Sequence, residues 1–348
     1  MRSSLRTLLP RIKLSTAVAF AAFFLAGAGA LPLSAVAQEP SNAPATAPPQ
    51  NSSAAGQDAQ SPDPQNQDQQ TPAPKYDVAI FQNRIPSDQL AFLNQFVRSD
   101  SGDLIRDKQY KKIMKHVVPN CIYHYGRDMS LPDAYDMVLS GSRQPVQIRD
   151  GRYVMVSGKS GPYLMGRGFM WIDMQDGIAL GGFYFRPING EPTPTVTIFS
   201  QQVKERTLQL SQLPAAFAED LSAWSSSMNI PPVTTRYFIT DRNEKILLEH
   251  TEDYCSTADP LSSPVAEDCE QMNADASDLD MNAAYYLDQT NHATNATAWM
   301  IVGDDQVAWI RVRDTTCSVG PDPLICHIRL TRQRTHRLIS NPQQHPHI

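Results

Sequence analysis

Residues 38–75, QEPSNAPATAPPQNSSAAGQDAQSPDPQNQDQQTPAPK, contain almost no large apolar side chain. Ordering such a stretch costs backbone entropy with no apolar burial to offset it. It reads as a disordered tether, so any fold must be built from the residues C-terminal to it. The chain before it has another pattern: Arg2, Arg6, Arg11 and Lys13 flank the start of the apolar run LSTAVAFAAFFLAGAGALPL, and Ala35-Val36-Ala37 comes after the run. A basic start, an apolar middle and an Ala-x-Ala end are the order of a secretory signal peptide. The run is roughly long enough to cross a bilayer. Gly27, Gly29 and Pro32 interrupt it, so removal after Ala37 is expected rather than a retained anchor. The reading is a signal peptide over 1–37, a linker over 38–76 and roughly 270 residues of folded chain. Export implies a periplasmic or secreted protein with no stable membrane span after signal removal.

The formal net charge is -6. No general basic footprint for nucleic acid exists, and no nucleic-acid partner is expected. The charge is unevenly placed. From Ile246 to Ile310 there is no Lys or Arg, while Glu249, Glu252, Asp253, Asp259, Glu267, Asp268, Glu270, Asp275, Asp278, Asp280, Asp288, Asp304 and Asp305 accumulate. Arg311, Arg313, Arg329, Arg332, Arg334 and Arg337 come next. An acidic segment thus faces a basic one within the last third.

Periodicity divides the folded part in two. From Ser87, a candidate cap, to Val118 the pattern is helical, with Leu90, Leu93 and Val97 on one face and a second run through Leu104, Ile105, Ile113, Met114 and Val117 before Pro119. Ser130-Leu131-Pro132-Asp133 has the form of a helix start, and Gly141 is placed to end that helix. The period then falls to two. Asp150-Gly151 and Asp176-Gly177 sit between alternating apolar runs, where the glycines supply the positive φ of tight hairpins. TPTVTIFSQQV and TTRYFITDRNEKILLEH add strands, and Phe217, Leu221 and Trp224 share a helical face between them. The fold class expected is an α+β domain with an antiparallel sheet over 77–250, then a small all-α domain over 251–348. Neighbouring hairpins argue against a doubly wound parallel sheet.

Four of the five cysteines, Cys255, Cys269, Cys317 and Cys326, lie in the last third, and Cys121 is alone. Export favours disulfides over a zinc site, and no Cys-x-x-Cys knuckle occurs. If the first two late helices form an antiparallel hairpin around residues 289–295, Cys269 and Cys317 reach similar heights at about 1.5 Å rise per residue. The expected bonds are then Cys269 with Cys317 and Cys255 with Cys326. The row Gln306, Trp309, Arg313 and Cys317 falls on one helix face. Trp309 should be buried at the interface, Gln306 bonded to backbone or a polar neighbour, and Arg313 paired with Asp275, Asp278 or Asp280.

These residues carry a resemblance. VAEDCEQMNADASDLDMNAAYYLD, then DDQVAWIRVRDTTC, then PLICHIRLTRQRTHRL is similar to the lysozyme-inhibitor LprI-type domain, a small helical, cysteine-containing module of exported bacterial proteins. The matching residues are Cys269, Asp280, Met281, Asn282, Tyr285, Gln306, Trp309, Arg313, Cys317, Cys326, Thr331, Arg334 and Leu338. The resemblance covers only the C-terminal third. Gly303 and the lack of a lipid-attachment cysteine depart from the pattern. It implies an envelope binding protein that blocks a lysozyme-type muramidase by steric and electrostatic means, the acidic run raising the association rate with a cationic enzyme. Mutual neutralisation between the acidic and basic helices is the competing use of the same charges.

Two other readings compete with an inhibitor. Cys121, His124, Arg127 and Asp128 lie close together, which raises a periplasmic hydrolase centred on His124 and Asp128. On a strand, however, Cys121 and His124 would face opposite sides. Phe169, Trp171, Phe183 and Phe185 would serve a cell-wall or polysaccharide binding module if exposed on one sheet face, and a core if buried. SGKSG at 157–161 lacks the first glycine of a phosphate loop, because position 153 is Tyr. His345-Pro346-His347 sits at a terminus where fraying is the ordinary state. No catalytic, metal or cofactor-binding residue is assigned, and no cofactor is expected.

Overall fold

The computed structural model describes residues 78–256, 268–291 and 295–340. The expected signal peptide, the linker and the histidine tail lie outside them. All the described residues fall in one compact unit. In chain order the helices are α1 (Ser87–Leu90), α2 (Ser101–Arg106), α3 (Lys108–Val117), α4 (Leu131–Leu139), α5 (Ala215–Ser227), α6 (Cys269–Asn291), α7 (Ala296–Cys317) and α8 (Pro323–Ser340). The strands are β1 (Ile122–His124), β2 (Asp128–Ser130), β3 (Ser142–Arg143), β4 (Gln147–Arg149), β5 (Tyr153–Lys159), β6 (Arg167–Asp173), β7 (Ile178–Phe185), β8 (Thr195–Phe199), β9 (Thr235–Ile239) and β10 (Lys245–Leu247). The expected class, an α+β region with antiparallel strands followed by a disulfide-linked helical region, is what the chain adopts.

The main sheet runs β10-β9-β8-β7-β6-β5-β3, with β4 also on β5, and β1 with β2 makes a separate ribbon. Its pairs are antiparallel except β8 with β9, which are parallel and joined through α5. A parallel neighbour needs a crossover long enough to return to the same end, and a helix supplies it.

Local chemistry explains the hairpins. Asp150 and Gly151 both take positive φ, 55° and 61°, and Arg152 N–H closes the turn on the Arg149 carbonyl. That is the twist a two-residue hairpin needs. Gly177, at φ 68°, ends the turn between β6 and β7. The two turns are tied together by Arg152, whose guanidinium holds Asp173 bidentately at 2.8 and 2.6 Å and Asp176 at 2.7 Å.

The helix starts are mixed. Ser130 Oγ accepts from Asp133 N–H at 3.1 Å and caps α4 as expected, and Asp107 caps α3. Ser87 does not cap: it is the first residue of α1, Pro86 precedes it with no side-chain bond, and the helix narrows to a 3-10 turn over Ala91–Phe96. Gly141 does not end α4 in a left-handed conformation either. A Cβ there would lie 1.8 Å from the Lys159 carbonyl oxygen, so glycine is needed for close backbone approach to β5.

The sheet is buried on both faces. One carries Val154, Val156, Met170, Ile172, Phe183, Phe185 and Phe199 beneath α2, α3 and α4. The other carries Phe169, Trp171, Tyr184, Ile198 and Phe238 against α5. Burial on both sides makes these strands continuous apolar runs rather than alternating ones. The junction near residue 250 is packed as well, since Tyr237 and Leu247 of the sheet share a cluster with Ala283, Ala284 and Leu338 of the helices.

The disulfides are Cys255 with Cys269 and Cys317 with Cys326, not the crossed pairs expected. Equal distance from a turn sets the height of a cysteine along its helix but not which neighbour it faces. Here α6 packs mainly on α8 rather than on α7. Each bond joins a helix end to adjacent chain, 14 and 9 residues apart in sequence.

Candidate functional site

The helical layer is held to the sheet by buried polar contacts. Asp280, on the inward face of α6, accepts from His250 N–H at 2.6 Å and from His250 Nδ1 at 2.7 Å. Both residues are buried. Beside them Arg236 of β9 pairs with Glu252 at 2.5 Å, and Tyr254 Oη donates to the same carboxylate at 3.1 Å. Burial alone would raise the Glu252 carboxyl, but the Arg236 guanidinium, with a smaller contribution from His250, outweighs it and lowers the group to about 2. Sequence reading missed His250, Glu252 and Arg236. They are scattered over strand and loop, and only the fold brings them together.

In the row on α7, Gln306 and Arg313 meet polar partners of the expected kind, whereas Trp309 and Cys317 depart from the expectation, Cys317 being bonded to Cys326 rather than to Cys269. Arg313 Nη1 donates to Asp278 at 3.1 Å, one of the three carboxylates anticipated, and to Thr331 Oγ1 at 3.3 Å. Gln306 is buried, with Oε1 accepting from Arg334 Nε at 3.2 Å and Nε2 against Met281 Sδ. Trp309 is only half-buried. Its ring is covered by two guanidinium groups, Arg313 at 5.1 Å and Arg334 at 5.7 Å from the centroid, instead of an apolar interface. Arg334 also binds Asp305 at 2.5 Å. Tyr285 Oη accepts from Gln289 at 3.2 Å, and Asn282 is exposed. Much of the acidic run is therefore paired internally: Asp278 with Arg313 and His327, Asp280 with His250, Asp305 with Arg334, and Glu249 with His336. Exposed carboxylates remain at Asp304 on α7 and at Asp253, Asp268, Glu270 and Asp275 around the Cys255–Cys269 link.

Where the helices meet the sheet edge, a cleft of about 700 Å³ opens. One wall is the edge strand β10 with Leu247. The other is the C-terminal half of α6 with Ala284, Tyr286 and Leu287, joined by Leu338 and Ile339 of α8. Thr240 N–H bonds to the Glu244 carbonyl and Leu248 N–H to the Arg236 carbonyl, so Glu244, Ile246 and Leu248 turn their backbone groups toward β9. By the two-residue period, the N–H and C=O of Lys245 and Leu247 point away from the sheet. Lys245 is fixed at this wall. Its ammonium pairs with buried Glu191 at 2.7 Å and lies over the rings of Tyr237 at 4.7 Å and Tyr123 at 5.2 Å. Tyr286 is pushed up by partial burial and by Glu191, and its Oη accepts from Asn189 at 3.4 Å. A second cavity, about 460 Å³, lies between α3 and α4 and is mostly apolar with Tyr110 and Tyr135 in its lining.

The competing candidates do not converge. His124 Nδ1 and Asp128 Oδ1 are 2.9 Å apart, but they sit on the small β1–β2 ribbon with Asp128 exposed, and neither lines a described cavity. Cys121 is half-buried and free, its thiol pushed up by burial. Phe169, Trp171, Phe183 and Phe185 are fully buried, the first two on one face of the sheet and the others on the opposite face, so they form no exposed platform. SGKSG lies along and just past β5 and is followed by a single 3-10 turn over Tyr163–Met165 rather than by an α-helix. Among the described residues no group of three or more His, Cys, Asp or Glu is arranged to hold a metal ion.

No family model matches this chain, and neither a curated protein nor a solved structure matches it significantly. Among the described residues no helix is long and apolar enough to cross a membrane.

Proposed function

We propose that this is an exported envelope protein, periplasmic or secreted, that binds another protein, and that its target is a lysozyme-type muramidase. The observation that carries a binding role is the cleft: a concave site bordered by an open strand edge, with apolar residues from α6 and α8 opposite. An extended loop of a partner can add to the edge through main-chain hydrogen bonds while its side chains enter the apolar floor. The His250–Asp280 contact ties the segment leaving β10 to α6, and so links the two elements that wall the cleft, which limits the ordering entropy lost on capture. The muramidase target rests on the resemblance of the last third to LprI-type domains. The exposed carboxylates near the start of α6 would steer a cationic enzyme toward the molecule.

The test is a cell-wall hydrolysis assay with the full chain and with Thr290→Trp, which places a bulky ring at the rim of the cleft. Inhibition is expected at about 10 µM or below. Thr290→Trp should weaken it at least about tenfold without changing the melting temperature. Undiminished hydrolysis with the full chain at that concentration would reject the muramidase target. Inhibition that survives Thr290→Trp unchanged would move the contact away from the cleft.

A further inference from the structure

Helix α7 is apolar on more than the face it buries. Val302, Gln306, Arg313 and Cys317 point inward. Yet Met300, Ile301, Val307 and Val312 are 55%, 42%, 49% and 53% exposed. At 100° per residue these fall within one broad sector of the helix, and Asp304, Ala308, Arg311 and Thr315, all exposed, fill its centre. A surface helix ordinarily gives that sector to charged residues. Here there is one acid and one base, seven residues apart, and neither Asp304 nor Arg311 has an ion-pair partner among the described residues.

That spacing is self-complementary. When two copies of α7 cross antiparallel about a two-fold axis between Val307 and Ala308, positions whose numbers sum to 615 face each other. Asp304 of one copy then meets Arg311 of the other, twice, and Val307 meets Ala308 at the axis. Met300 faces Thr315. A two-fold contact of this kind is isologous, so one patch serves both sides and the assembly closes at two. The flanking ion pairs fix register and orientation, as charged flanking positions do in coiled coils.

We propose that this face of α7 is the contact through which a second copy of the same chain docks, making an antiparallel homodimer. The residues involved are not those of the cleft, so the dimer stands or falls independently of the muramidase reading.

The experiment is sedimentation of the full chain across a concentration series up to about 100 µM, which spans weak association. The parent chain is expected to shift from monomer to dimer mass. Asp304→Arg and Arg311→Asp should each weaken dimerisation at least about tenfold, because like charges then face across the axis. The double variant D304R/R311D should restore it, because the two pairs re-form with their signs exchanged. Circular dichroism confirms that each variant is folded. A parent chain that stays monomeric throughout overturns the proposal, as does a dimer insensitive to both single changes. A chain ending at residue 340 that dimerises when the full chain does not would assign the face to the C-terminal segment instead, and would also overturn it.

Discussion

Asp280 takes two hydrogen bonds from a single residue, His250, one from its backbone N–H and one from its ring. The pair joins the segment leaving β10 to the middle of α6, both side chains out of water. One carboxylate thereby fixes both the position and the direction of the chain where it turns from sheet to helices. A helix such as α6 gains from such a contact, because its inward face is built mainly of the small residues Ala274, Ala276, Ser277, Ala283 and Ala284, with Met281 the one large apolar side chain buried among them.

Asp280→Ala strands two buried donors on His250. A loss of about 3 kcal/mol is expected, and Asp280→Asn, which keeps one acceptor, should lose less. Denaturant unfolding of the two variants gives the comparison. Equal stability of Asp280→Ala and the parent would remove the docking role.

Glu252 supplies the pH dependence. Its folded value of about 2 lies below the ordinary 4.5, so the unfolded chain binds the proton more readily. Its stabilisation is therefore complete above about pH 4.5 and is lost as pH falls toward 2. Glu252→Gln should lower stability at pH 7 by about 3 kcal/mol and flatten the acid arm of the stability curve in that window. An acid arm as steep in the variant as in the parent would show that another group sets it.

The cystine pairs can be read by mass spectrometry of the unreduced protein. Peptides containing Cys255 with Cys269 and Cys317 with Cys326 are expected. Removing either bond by paired Cys→Ser substitution should cost about 2.5 to 3 kcal/mol, the loop-closure value for links this short. Recovery of Cys269 joined to Cys317 would contradict the packing of α6 on α8.

Gly141→Ala separates two roles for that glycine. A left-handed helix end would be relieved by Asn. A close backbone approach is relieved by nothing larger than hydrogen, because the clash is with the Lys159 carbonyl. Both Gly141→Ala and Gly141→Asn should therefore destabilise, by about 1 to 3 kcal/mol, in a thermal melt. Rescue by Asn would restore the capping role.

Asp150-Gly151, Asp176-Gly177 and Ser130 were legible because a turn or cap is decided by residues that are neighbours in sequence. The partnership of Arg313 with an α6 carboxylate was legible for a related reason: helical spacing put a guanidinium and a row of acids within reach once the helices were adjacent. The cleft left no signal. Lys245, Leu287 and Ile339 come from a strand and two helices far apart in the chain, and no spacing rule relates them. Nothing in the sequence singles out His250, because its partner Asp280 lies 30 residues away on another element.

The amino-acid sequence by itself determined the period of each segment, the turn positions and the number of cysteines able to pair, because each depends on backbone preferences and composition over a few residues. Only the tertiary structure decided which cysteine meets which, which carboxylates are buried, and where the open strand edge meets the helices. Those outcomes depend on the azimuth at which helices pack and on which faces of the sheet they cover. Burial energy summed over the whole core sets both, and no single segment carries that sum.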